Sequence, residues 1–220
     1  MDKDSNSNDF ADAREQMVRS HLKGRDITDP GVLKAMAQIP REEFLPEKYR
    51  SSAYLDGPLP IGMGQTISQS YIVALMTEHL KLTGGCEVLE IGTGCGYQTA
   101  VLASLAKKVY TIERLAQLSE SAQAVLSRLG IDNVEFYIGD GSKGWPAEKT
   151  FDRIIVTAAL PEIPQPLLDQ LKTGGIVVAP VGGPVTQKLI AAKKKTVGTT
   201  ENLICDVRFV KIIGEYGFPE

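Results

Sequence analysis

The chain has 220 residues, enough for one domain that buries its own core. Its formal charge of −3 offers no overall attraction to nucleic acid or to an anionic membrane. Only two His and three Cys are present, none in a metal-ligand spacing, so neither a metal centre nor a histidine-based triad is expected. The separated cysteines (Cys86, Cys95 and Cys205) suit a reducing compartment. No apolar run reaches membrane-span length, and the polar start carries no signal-peptide core, so a cytoplasmic protein with a disordered tail at 1–9 is expected.

From Phe10 to Leu22 the apolar spacing predicts a helix. A second helix fits Asp29 to Gln38, with Asp29 capping and Pro30 at its first position. Ile39 to Gly64, broken by four prolines, reads as ordered irregular structure. A helix carrying Ile72, Leu75, Met76, His79 and Leu80 follows, with Ser68 or Ser70 as its cap. Beyond Gly84-Gly85 strands and helices alternate. Strands are predicted at 88–91, 109–112, 134–138, 153–157 and 176–180, and helices at 97–106, 115–129 and 164–171. That rhythm predicts a mostly parallel, doubly wound Rossmann-like α/β sheet. Strands at 188–193 and 203–213 would end it as an antiparallel hairpin, with Lys193 to Lys195 as a solvated strand end. Residues 10–83 then form N-terminal helices and an active-site loop, and 84–220 the α/β core, in one compact unit.

Gly92-Thr93-Gly94-Cys95-Gly96 lies between the first core strand and its helix, where open parallel sheets bind ligands. The third glycine comes one residue early for a dinucleotide fingerprint, and Glu90 just ahead would oppose a pyrophosphate. A carboxylate there suits a ligand with an amino group and no phosphate, which favours S-adenosyl-L-methionine over NAD. Glu113 ends the next strand, where a carboxylate can accept both hydroxyls of a ribose. Asp140-Gly141 follows the third strand, within reach of an adenine amino group. Tyr97 and Gln98 fit cofactor contact or packing equally, Trp145 reads as packing, and His21 and His79 as structural or exposed.

The run from Val88 to Ala100 (VLEIGTGCGYQTA) closely resembles protein-L-isoaspartate O-methyltransferases. So do Gly62 to Gln69 (GMGQTISQ), Pro40 to Phe44, Gly139-Asp140-Gly141, Phe151 to Ala159 and Val207 to Val210. Two departures are Lys211, where most relatives have Pro, and Cys95, where Ser is common. The resemblance implies methylation of the free α-carboxylate of L-isoaspartyl residues in damaged proteins, with S-adenosyl-L-homocysteine as product. The methyl ester then closes to a succinimide without the enzyme. It also implies that the Ser68 hydroxyl orients the carboxylate, that Thr66 and Ile67 line its pocket, and that Val207 to Val210 offer backbone to a peptide. For the cofactor it implies Glu90 and Gly92 to Gly96 at the methionine portion, Glu113 at the ribose, and Asp140 and Gly141 at the adenine. A monomer without nucleic-acid or membrane partners is expected. A methyltransferase for another carboxylate or a small molecule, or a non-catalytic S-adenosylmethionine-binding protein, would share the core.

Overall fold

The computed structural model describes residues 3–220. It opens on α1 (Lys3–Met17), which runs on into a wider π-helical turn, Val18–Lys23. No Gly or Pro interrupts residues 3–23, so nothing in the chain stops the helix from reaching back. The expected disordered tail is therefore corrected to helix from Lys3; Met1 and Asp2 lie outside the described residues. In α2 (Pro30–Gln38) the Asp29 carboxylate caps as expected, accepting from the Val32 N–H at 3.0 Å.

The stretch expected to be irregular holds more structure. A 3₁₀ turn (Arg41–Phe44) and a single turn α3 (Glu47–Arg50) precede an antiparallel hairpin of β1 (Leu59–Gly62) and β2 (Gln65–Ile67). Pro60 masked β1, because Pro gives the ladder no donor and is confined to edges; a two-stranded sheet has only edges. At its tip Gly62, Met63 and Gly64 have φ of 96°, 51° and 70°. Glycine takes that conformation freely, and Met63 is the one residue there that pays for it. In α4 (Ser70–Leu80) Gln69 stands at the cap with no side-chain bond, and Ser70 is already helical and buried. Neither Ser68 nor Ser70 is the cap, a correction that leaves the Ser68 hydroxyl free.

The remaining elements are β3 (Glu87–Ile91), α5 (Tyr97–Ala103), β4 (Lys108–Glu113), α6 (Ala116–Arg128), β5 (Val134–Ile138), β6 (Phe151–Val156), α7 (Gln165–Gln170), β7 (Leu171–Gly182), β8 (Gln187–Lys194) and β9 (Thr199–Val207). They form one sheet in the order β5-β4-β3-β6-β7-β8-β9, parallel through β7 and antiparallel at β8 and β9. Strand alternation divides the core. Val88 and Val109 face a helical layer with Met17, Met36, Met76 and Leu126. Leu89, Ile91 and Ile112 face the other way, onto Phe151, Ile154 and Leu167. The chain turns outward from β3 to β4 and β5, then crosses back to β6 on the other flank of β3. That reversal opens a crevice at the strand ends.

Two further expectations change. The last strand stops at Val207, not Ile213, because three bonds pull the chain off β8. The Phe209 N–H donates to Gln187 Oε1 (2.9 Å), the Ala159 N–H to the Val210 carbonyl (2.7 Å), and the Ile212 N–H to the Ala159 carbonyl (2.9 Å). Lys194 is not a solvated strand end: its ammonium donates to the carbonyls of Leu168 and Leu171, closing the C-terminus of α7.

Candidate active site

A cavity of about 360 Å³ opens at the carboxyl ends of β3, β4 and β6. One wall is Gly92 to Cys95 after β3, Glu113 to Leu115 at β4, Gly139 and Gly141 after β5, and Thr157 and Ala158 after β6. The other wall is Met63 and Gln65 to Ser68 from the hairpin, with Phe209 to Ile213 from the segment that leaves β9. Ser68, Thr66, Ile67 and Val210 thus meet Thr93, Gly94, Cys95, Glu113 and Gly141 in one cavity, although they come from distant parts of the chain.

The first wall is rigid. Gly92 has φ 97°, and a Cβ there would collide with Thr157 Oγ1, which donates to the Gly92 carbonyl at 2.6 Å. Gly96 is buried away from the cavity; any Cβ on it would come within 2.7 Å of Leu126, so its part is the close packing of α5 on α6. Glu113 is fixed by two backbone donors, the Gly94 N–H on Oε2 (2.9 Å) and the Leu115 N–H on Oε1 (3.0 Å). Each oxygen keeps a lone pair, which fits two neighbouring ribose hydroxyls. Ile112, Gly139, Gly141 and Ile213 give this part of the lining an apolar character suited to a flat ring. This donor and acceptor set, with no cluster of cations for a phosphate, fits S-adenosylmethionine.

Glu90 is not on the wall. It is fully buried under the loop, where Thr99 Oγ1 (2.6 Å) and Thr111 Oγ1 (2.7 Å) both donate to Oε2. Alternation explains the correction: Glu90 shares the face of Val88, covered by α5, and Thr111 is its register partner on β4. Oε1 has no partner, and burial, with a smaller contribution from nearby Glu113, pushes the carboxyl up to about 8. A loop ligand carrying positive charge would sit above this acid, not on it.

Asp140 borders the space next to Gly139 and Arg114. Oδ1 accepts from the Ser142 N–H (2.9 Å) and hydroxyl (2.6 Å), and Oδ2 from the Glu215 N–H (2.8 Å). It caps a short turn and tethers the C-terminal segment, outside the cavity wall. Val207 likewise stays buried in β9 and does not reach the cavity. Lys211 forms a bridge to Ala159, but the bonds use the Val210 carbonyl and the Ile212 N–H, so a residue without an N–H could stand at 211 equally well.

Tyr97 and Gln98, left open by the sequence, are buried and both reach the cavity. Trp145 packs edge-on against Tyr110 and Tyr137. Sequence reasoning missed Met63, Arg114, Leu115, Thr157 and Phe209. Met63, Thr157 and Phe209 lay in stretches already singled out, whereas Arg114 and Leu115, just past Glu113, carry no pattern of their own.

A profile of the protein-L-isoaspartate(D-aspartate) O-methyltransferase family matches residues 12–217. A protein-L-isoaspartate O-methyltransferase of Methanoculleus marisnigri is 50% identical over 206 residues, 93% of each chain. One from Rhodopseudomonas palustris is 51% identical over 211 residues, 95% of this chain and 86% of the relative. Among solved structures, a protein-L-isoaspartate O-methyltransferase superposes with a TM-score of 0.82 at 34% identity, over 93% of this chain and 67% of that one. A Plasmodium falciparum beta-aspartate methyltransferase, crystallised with S-adenosyl-L-homocysteine, gives 0.79 at 27% identity over 91% and 98%. On the profile match and on relatives at half identity, the chain belongs to the protein-L-isoaspartate(D-aspartate) O-methyltransferase family.

Proposed function

We propose that this chain transfers a methyl group from S-adenosyl-L-methionine to the free α-carboxylate of L-isoaspartyl residues in proteins and peptides. The ester then closes to a succinimide, which can reopen to aspartate. One observation carries the reading at the site: Ser68 and Glu113, 45 positions apart in the chain, line one cavity. That arrangement suits a nucleoside ligand on one side and a carboxylate acceptor on the other.

S-Adenosylmethionine supplies a methyl group already activated on a cationic sulfur. The protein's share is placement. Glu113 receives the ribose, Gly139 and Gly141 flank the adenine, and the Gly92 to Cys95 backbone takes the methionine portion. Ser68 donates its hydroxyl to the acceptor carboxylate and fixes its line of approach. An α-carboxyl has a pKa near ~3.5, so the acceptor is ionised at neutral pH and needs no general base. Ile67, Met76, Phe209 and Val210 keep water from the reacting atoms. Alignment of this kind is worth up to ~7–11 kcal/mol in well-oriented systems.

Among the described residues no helix is long and apolar enough to cross a membrane. We take the protein to act as a cytoplasmic monomer on protein substrates, without nucleic acid; its charge of −3 supports that reading. Labelled S-adenosylmethionine offered with an isoaspartyl peptide and its aspartyl counterpart is the test. Label is expected on the isoaspartyl peptide alone. Label on both removes the specificity, and label on neither removes the catalytic reading.

A further inference from the structure

Arg41 is the largest of the fully buried side chains, with 0% exposure. A buried cation is costly unless paired, yet this guanidinium has no carboxylate partner among the described residues. Its neighbour Glu42 serves the Tyr54 hydroxyl instead. Nε donates to the Ala53 carbonyl and Nη2 to the Ser68 carbonyl, both at 2.8 Å. The guanidinium carbon lies 4.9 Å from the centre of the Tyr97 ring. Nη1 is buried with no partner at all. Ser68 and Tyr97 both line the cavity, so the unneutralised charge sits directly behind the acceptor side of its wall.

We propose that Arg41 is a positioning and specificity-determining residue: it holds Ser68 by its main-chain carbonyl, and its charge favours an acceptor that brings a carboxylate to the cavity. The inference rests on the functional reading above. Burial pulls the guanidinium pKa below its ordinary value, which marks how poorly the charge is compensated without an anion nearby. Methyl transfer turns the carboxylate into a neutral ester. The attraction is therefore strongest for the bound acceptor, weaker at the transition state and absent for the product. Its signature is a loss of acceptor affinity with no fall in kcat when the charge is removed, and the field helps the ester to leave.

The test uses enzyme loaded with S-adenosyl-L-homocysteine. By calorimetry it compares an isoaspartyl peptide with the same peptide carrying an α-carboxamide. Wild type is expected to prefer the carboxylate by on the order of 10- to 100-fold, the range of a charge acting across a partly desolvated wall. In Arg41→Met that preference should collapse to within about threefold, with carboxamide-peptide and S-adenosylhomocysteine affinities little changed; Arg41→Lys should restore part of it. A purely structural role would weaken all three ligands together. If Arg41→Met does not fold, Arg41→Gln removes the charge while keeping a donor. A carboxylate preference that survives loss of the charge, or one under about threefold in wild type, overturns the proposal. Wild type that methylates no isoaspartyl peptide fails the functional reading instead, so the two failures are distinct.

Discussion

The two walls of the cavity reach their places by different routes. Gly92 to Cys95, Glu113 and Gly141 stand at the carboxyl ends of the parallel strands β3, β4 and β5, whose pairing holds them in register. Met63 to Ser68 and Phe209 to Ile213 belong to no common sheet. The first group is carried on a two-stranded hairpin, and the second is pinned to Ala159 and Gln187. The cofactor wall is thus fixed by secondary structure, and the acceptor wall by a few particular bonds. Substitutions on one wall should therefore leave the other working.

The largest break in that comparison is Ser68→Ala. It should lower kcat on an isoaspartyl peptide by ~100-fold, the scale on which lost alignment acts, while S-adenosylhomocysteine binding stays within about twofold. Parallel losses in both would mean that the walls are not independent. Glu113→Ala is the converse. It removes the ribose acceptor and frees the Gly94 and Leu115 N–H groups, and should weaken S-adenosylhomocysteine by ~10- to 100-fold in titration calorimetry. Acceptor affinity, measured at saturating cofactor, should barely move.

The smallest effect is on stability, from Glu90→Gln beneath the cofactor wall. The folded carboxyl, near 8, lies above the ordinary 4.5, so the folded protein holds a proton that the unfolded chain releases. This contribution is full below about 4.5 and is lost as pH rises through 8. Gln does not titrate, so the variant should gain steadily on wild type as pH rises from 5 to 8 in urea denaturation. Denaturation midpoints that run parallel across that range would place a solvated, ordinary carboxyl at 90.

Much of the cofactor wall was legible from residues alone. Short apolar runs mark β3, β4 and β6 to within one or two residues, and they fix where Glu113 and the loop must stand. One error came from treating strand-end acids alike. Period-two alternation puts Glu90 with Val88, under α5, and Asp140 two residues ahead of Ser142 has the pattern of a local cap. The acceptor wall was harder. Pro60 concealed β1, and the bend after Val207 depends on Gln187, a polar residue in β8 whose burial no local pattern announces. Arg41 stands in a stretch that the resemblance marks, and only tertiary packing seals it behind Ser68.

The central claim is that the cavity positions an acceptor that is already ionised. The pH dependence of kcat, with both substrates saturating, tests it most directly. A kcat constant within about twofold from pH 6 to 8 is expected, because an α-carboxyl with a pKa of ~3.5 has lost its proton well below that range. A kcat that climbs about tenfold per pH unit across the same interval would require a protein base and would contradict it.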